Sequence, residues 1–511
     1  AQKMTIDEKQ ELTIDPRTTG LGGVDPMNIK EIAKRESYLT TFTWAIGEAP
    51  ETLLWNARID PVTWAEDSGP PVTFHFPACA MAALPFQYWT GTMKFRFQIV
   101  ASSFHKGRLK FVYDPEFLAT NEYNTNYTRI VDIAEEQDFT IEIGNGQDTT
   151  LLTHHRPGQD SVTQMYNTTT FASKEEGNGV LGVYIVNELT TPNSTVNNDI
   201  EINVFVSMGE DFEVFVPDDY FMNFTFGSTP QSGRETQSGT EIVPDGQNTA
   251  EPSAPQQESA DPLGPARQNT SLINQVFTGE AISSFRTMLK RYNLHSSIGS
   301  LDTVDVIAYG RRPHFPIYRG GVGGAIDLTT AGNPYNYCNT VLLHWVATAF
   351  SGRRGGVRYK LVPRGIQNDN NRVSVQRAPL RQTLPSYEEN VVNLPTYGSN
   401  KAVHQSVVRE QGSTPVANKP FAAANGMVLT INRVNGILEF EMPYYSPFRF
   451  TPGKSADESS GQFAEAAWDY RIDFLANTTE VMDLYVAAAE DFQTFFWTGL
   501  PRAYYEASPP P

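Results

Sequence analysis

The sequence predicts an all-β protein of two tandem sandwich or jelly-roll units with a few short helices, and three observations carry that prediction. The 511 residues exceed what one hydrophobic core organises, since single cores stop growing at about 250 to 300 residues. Apolar, β-branched and aromatic residues come in short runs bounded by Gly, Pro, Asn and Asp, the sequence form of strands between loops. The two halves also repeat each other.

The material for two cores is present. Hydrophobic residues make up 40%, aromatic 12% and charged 19% of the chain, well away from the regime of disorder. Cys79 and Cys338 fall one in each half, without a disulfide framework or a CxxC pair, so packing must hold the fold. No run of about 18 apolar residues and no basic-then-apolar leader occurs, and a soluble, non-secreted protein with no transmembrane segment is expected. Charge is uneven. Of the net −19, all sits in residues 1–250, with 16 Lys and Arg against 35 Asp and Glu, whereas residues 251–511 hold 23 of each. An acidic half repels phosphate at long range, which favours complementary protein surfaces over nucleic acid as its partner.

From Gly227 to Gln268 the chain runs through Ser, Thr, Pro, Gly, Gln and Asn with few large apolar residues. Such a stretch cannot bury enough surface to offset chain entropy and reads as a linker or terminal extension. The expected division is an N-terminal extension over 1–24, a first domain over 25–226, a linker over 227–269 and a second domain over 270–511.

Strand candidates follow from alternation. Met93 to Val100 places Phe95, Phe97 and Ile99 on one face and Lys94, Arg96 and Gln98 on the other, the pattern of a half-buried strand. Further candidates are Leu109 to Tyr113, Phe139 to Ile143, Val180 to Val186 and Ile200 to Val206. In the second half they are Val341 to Phe350, Val357 to Val362, Met427 to Ile431, Ile437 to Met442, Tyr470 to Leu475 and Val481 to Ala487. Helical spacing is confined to Asn28–Arg35 and Ile282–Tyr292, each near the start of its half. Each half then closes on a similar acidic-aromatic motif, MGEDFEVF at 208–215 and AAEDFQTFF at 488–496. Two copies of one all-β unit with many short strands mean a sandwich or jelly roll.

Residues 85–115 carry a more specific signal. Pro85-Phe86 before Tyr88-Trp89, then Gly91, the alternating strand, Phe104-His105-Lys106-Gly107-Arg108-Leu109 and Tyr113-x-Pro115 resemble the central strand pair of capsid proteins in picorna-like viruses of the order Picornavirales, especially dicistroviruses and marnaviruses. Asp25-Pro26-Met27 and Tyr38 to Trp44 resemble the amino-terminal region of the same coat proteins. In the second half Gly279-Glu280, Ser284-Phe285-Arg286, Leu289 to Tyr292, Trp345 to Phe350, Arg354-Gly355-Gly356 and Met442 to Ser446 are similar to the neighbouring coat protein of the same polyprotein. The resemblance implies an eight-stranded antiparallel jelly roll of the viral coat type in each domain. It further implies an icosahedral, pseudo-T=3 shell built from copies of this chain and at least one further capsid protein, enclosing genomic single-stranded RNA and attaching to an unspecified host receptor. The expected location is the virion, and the host cytoplasm during assembly. The chain begins at Ala1, as an excised polyprotein segment would. Picorna-like viruses use a cysteine protease that usually cuts after Gln, and in the linker Gln257 and Gln268 are the best placed candidates.

A structural role needs no reactive centre, and none is expected: HExxH, G-x-S-x-G and GxxxxGK[ST] are absent, and neither a cofactor nor a metal site is called. His75, His105 and the pair His154-His155 read as ordinary polar or loop histidines, because no third ligand is placed by spacing. In related insect viruses an Asp-Asp-Phe motif is linked to cleavage of a precursor peptide. Glu210-Asp211-Phe212 and Glu490-Asp491-Phe492 resemble it, with Glu at the first position in both. A carboxylate there could serve as general acid and base if burial raised its pKa. The plainer reading is that the acidic residues open the last strand while the phenylalanines pack inward, and occurrence in both halves favours it. Arg353, Arg354 and Arg358 form a basic cluster for an interface with an acidic neighbour, with RNA contact as the alternative. A carbohydrate-binding β-sandwich is the competing function.

Overall fold

The computed structural model describes residues 2–3, 25–67, 72–115, 127–158, 166–167, 177–192, 198–226, 260–264, 276, 278–280, 282–299, 307–321, 335–336, 338–364, 372–378, 407–409, 426–454, 467–473 and 481–505. Packing sorts them into two units. Residues 28–220, 260–264 and 276–284 form the first sandwich; residues 2–3, 25–27, 221–226 and 285–505 form the second.

The first sandwich is an eight-stranded jelly roll. Its strands are β1 Ser37–Trp44, β2 Leu53–Arg58, β3 Met93–Val100, β4 Lys106–Asp114, β5 Tyr127–Asp132, β6 Asp138–Ile143, β7 Val180–Thr190 and β8 Ile200–Met208. One sheet runs β6-β3-β8-β1 and the other β2-β7-β4-β5. Neighbours are antiparallel throughout. In β3 the alternation read from sequence is realised: Met93, Phe95, Phe97 and Ile99 are buried and Lys94, Arg96 and Gln98 are not. The core between the sheets is aromatic. Trp55 stacks on Phe42 at 5.6 Å and meets Phe97 edge-on at 5.9 Å, and Phe97 meets Phe111 at 4.8 Å. Burial of such rings supplies most of the driving force, at roughly 25 cal/mol per Å² of apolar surface.

The second sandwich repeats the plan. Its strands are β9 Asn293–Gly299, β10 Ile307–Pro313, β11 Val357–Arg364, β12 Arg372–Ala378, β13 Met427–Ile431, β14 Leu438–Met442, β15 Ala467–Asp473 and β16 Val481–Ala488. The sheets run β14-β11-β16-β9 and β10-β15-β12-β13, again antiparallel. Tyr359, Phe440 and Trp468 form its central ring cluster, with centroids 5.0 to 5.5 Å apart.

Among the described residues, short α-helices decorate the units: α1 Ile29–Ala33 and α2 Ala78–Ala83 in the first, α3 Phe285–Met288 and α4 Leu342–Ala347 in the second. The Asn28 side chain caps α1 by accepting the Glu31 N–H at 3.2 Å, as an N-cap does. The run Val341 to Phe350, expected as a strand, is instead α4 followed by a strand over Phe350–Arg354. Every residue of α4 is buried, and an apolar run without polar alternation reads the same whether it is a buried helix or a buried strand. Phe86, Trp89, Leu342, Trp345 and Phe350 lie inside, each at most 3% exposed.

Segments remote in sequence finish the sheets. Ala260–Pro262 pairs parallel with β6, Gln2–Lys3 parallel with β14 and Val407–Arg409 parallel with β9. Phe224–Phe226 pairs antiparallel with Ala503–Tyr505 inside the second sandwich.

Candidate functional site

The Glu-Asp-Phe motifs form the same corner twice. In the first sandwich β8 ends at Met208 and the chain turns back into a strand over Glu213–Pro217 that pairs with Phe86–Thr90. Asp211 sits in the turn and accepts two hydrogen bonds from Thr92, at the head of β3: the backbone N–H at 3.1 Å and the hydroxyl at 2.7 Å. The Gly209 N–H donates to the Thr92 carbonyl at 2.7 Å. Gly91 has φ +132°, and a Cβ there would lie 2.7 Å from Phe212 Cα, so only glycine lets the two backbones cross. Phe212 points inward and is buried. Outside, Glu210 pairs with Lys34 at 2.7 Å, which holds its carboxyl below the ordinary range.

The second sandwich matches this atom for atom where the sequence allows. Asp491 accepts the Gly356 N–H at 2.8 Å, and the Ala489 N–H donates to the Gly356 carbonyl at 3.0 Å. Gly355 has φ +121° against Phe492 Cα, and Glu490 pairs with Lys290. The strands beyond carry a further shared feature, since Val216 and Phe496 both have φ 57°. A non-glycine residue in that region is uncommon, and its recurrence at equivalent positions marks a bend both units require. The carboxylates of Asp211 and Asp491 therefore tie the turn after the last jelly-roll strand to the start of the central one.

The basic residues do other work. Arg353 lies over the Phe315 ring at 3.6 Å. Arg354 lies over Tyr444 at 4.9 Å and donates to the Arg449 carbonyl at 2.7 Å. Arg358, on β11, pairs with Glu441 at 2.8 Å and Glu490 at 3.5 Å. The first of these carboxylates faces it across the β11–β14 register. The equivalent pair in the first sandwich is Lys94 with Glu142 at 2.7 Å, across β3 and β6. The three arginines thus serve three separate contacts within the second sandwich, and Arg354 is the one whose bonds lie at the surface.

The histidines sit in polar niches. The His154 ring is hydrogen-bonded to the Phe86 carbonyl, and burial pushes its pKa down to about 3. His155 meets the Arg58 guanidinium at 2.9 Å, and His105 is bonded to Ser102 and to the Asn198 carbonyl. Among the described residues no three His, Cys, Asp or Glu gather to hold a metal. Sequence reasoning passed over the second sandwich's His295 and His344, both fully buried with ring centroids 5.6 Å apart. For His344 the apolar run around it was the only signal, and such runs surround many core polar groups. Gln257 and Gln268 lie outside the described residues.

Comparison with known proteins agrees with this picture. Residues 270–508 match the family described as CRPV capsid protein like. The chain is 20% identical to the genome polyprotein of deformed wing virus over 93% of its own length, and 20% identical to the structural polyprotein of cricket paralysis virus over 90%. It spans about a fifth (21%) of the first and about half (52%) of the second. Among solved structures, that of a marine algae virus of the order Picornavirales is 35% identical over 43% of this chain and 86% of that one, with a TM-score of 0.40. A carbohydrate-binding function receives no support from these relatives. With its jelly-roll strands and duplicated corners, the chain has the structural role of a capsid protein: its second sandwich matches the CRPV capsid protein like family, and its length as a whole is similar to the structural polyprotein of cricket paralysis virus.

Proposed function

We propose that the chain contributes two adjacent jelly rolls to an icosahedral, pseudo-T=3 shell that encloses a positive-strand RNA genome. Its partners are other copies of itself and at least one further capsid protein, and its outer loops provide the surface for host attachment. Assembly takes place in the host cytoplasm, and the finished protein resides in the virion. The supporting observation is the pairing of two sandwiches of identical strand order, each closed by the same Asp-bonded corner. A shell needs repeated, rigid units that recognise like neighbours, not a reactive centre.

The same corners argue for a protein that catalyses nothing itself. Asp211 and Asp491 recur at equivalent positions and accept bonds from the strand they brace, which a single scissile bond per chain would not require twice. Processing falls to a protease acting at Gln257 or Gln268, and Arg354, with Arg353 and Arg358 behind it, lies on the face that meets an acidic neighbour. Co-expression with the remaining capsid segment of its polyprotein, followed by sedimentation and electron microscopy, tests the proposal. Closed shells or pentameric rings are expected; a lone species of one chain under all conditions would refute it.

A further inference from the structure

Each sandwich is completed by a segment that is covalently part of the other half of the chain. Residues 221–226 follow the first jelly roll in sequence yet pack in the second sandwich. The rings of Phe221, Phe224 and Phe226 stand 5.9, 6.4 and 5.6 Å from Trp345. Thr340 Oγ1 donates to the Phe224 carbonyl at 2.7 Å, Lys454 Nζ to the Phe226 carbonyl at 2.6 Å and Arg319 to the Met222 carbonyl at 3.1 Å. In the opposite direction, Ala260–Gly264 precede the second jelly roll yet complete the first sandwich. Beyond the strand pairing with β6, the Leu263 N–H donates to the Glu142 carbonyl at 2.8 Å and its side chain is buried. Asp261 pairs at 2.9 Å with Arg129, whose guanidinium lies over Phe139 at 4.8 Å. Gly264, at φ +133°, lies against the Tyr113 ring.

We infer that these two segments are exchanged arms, so that a cut at Gln257 leaves two chains clasped reciprocally, each supplying the peptide ligand of the other's sandwich. The Trp345 site takes an aromatic strand with Phe-x-x-Phe-x-Phe spacing, held by ring packing and by donors to its carbonyls. The β6 edge takes an extended Ala-Asp-Pro-Leu-Gly strand by β-augmentation, with Arg129 selecting the carboxylate. Pro262 is suited to that outer position, since an edge strand can spare the missing N–H. A cut at Gln268 would keep Ala260–Gly264 with the first half, so that this strand no longer crosses while the aromatic tail still does. The place of the cut therefore decides whether the β6 edge strand belongs to the clasp. The inference rests on the capsid reading for the natural cut but not for the clasp.

The test is made on the full chain with a foreign site-specific protease sequence substituted over residues 244–250. After cutting, the halves should elute as one species in size exclusion at about 0.15 M salt and part only in denaturant. Phe224→Asp with Phe226→Asp should weaken the association about 100-fold or more, as removal of buried aromatic anchors does. Asp261→Arg with Leu263→Glu, placed on the other sandwich, should weaken it about 10-fold. Phe224→Leu with Phe226→Leu should keep the halves together, which separates loss of the arm from loss of the fold. Wild-type halves that part after cutting, or unchanged association in both disruptive variants, overturn the clasp. Shell formation by the uncut chain is read separately by electron microscopy, so failure of the clasp leaves the capsid reading standing and failure of assembly leaves the clasp standing.

Discussion

Replacing Asp211 separates bracing from chemistry. Asp211→Ala removes the acceptor for two Thr92 donors, and Thr92 is buried. A hydrogen bond to a charged group contributes about 1.5 to 3 kcal/mol, and an unmet buried N–H costs about 1 to 3 kcal/mol. The hydroxyl can turn elsewhere, so the loss should be about 2 to 4 kcal/mol, which for a domain of this size lowers Tm by about 4 to 16 °C. Asp211→Asn keeps one oxygen for the N–H and offers an amide to the hydroxyl oxygen, so it should cost no more than about 1 kcal/mol. Asp491→Ala should fall between them, because Asp491 serves the single Gly356 N–H. Thermal unfolding, with hydrogen exchange localised to β3, measures all three, and the same samples can be scored for precursor cleavage. If Ala and Asn both left stability at the wild-type level while abolishing cleavage equally, the carboxylate would be acting chemically and the bracing account would fail.

Acid should weaken the folded chain earlier than its carboxylates alone would dictate. Burial pushes His154 and His295 down to about 3 and lowers His344 as well, whereas unfolded imidazoles protonate near 6.5. Between those values the unfolded state binds more protons, so stability is full above about pH 6.5 and declines below it by up to about 1.4 kcal/mol per pH unit for each ring; melts at pH 7 and pH 5 that coincide would contradict this. Arg354→Glu should leave the second sandwich within about 1 kcal/mol of wild type yet impair assembly, measured by sedimentation. Arg353→Glu should lower stability itself, because the side chain lies on Phe315; the opposite ranking in melts and assembly would invert the assignment. Mass spectrometry of purified particles should find a fragment ending at Gln257 or Gln268, and a single 57 kDa chain would exclude processing there.

What the sequence shows and hides follows from the range of each interaction. Alternation in MKFRFQIV was legible because a strand's two faces are written in consecutive residues, and its burial follows the pattern to the residue. The Glu-Asp-Phe repeat was visible as a motif, and the inward turn of Phe212 and Phe492 with it. The partner of Asp211 was not, since Thr92 lies 119 residues away. Composition marked 227–269 as a linker but could not show that Ala260–Pro262 within it pairs with β6. Backbone pairing leaves no trace in the donor strand beyond mild β propensity. The arginines looked like one cluster because three fall within six positions; their side chains go to Phe315, Tyr444 and Glu441, directions that sequence spacing does not encode.

Edge coverage has its own consequence. Four outer strands, β2, β6, β9 and β14, each carry a short strand along their free side. An uncovered edge offers a row of unpaired N–H and C=O groups to any passing chain. At high concentration, identical copies with such rows bare would zip together without limit into fibres. With these four edges occupied, and β1, β5, β10 and β13 the outer strands left without a covering strand among the described residues, fewer rows are open to a second copy, and more of the contact falls to side chains and loops, whose shape has a preferred angle.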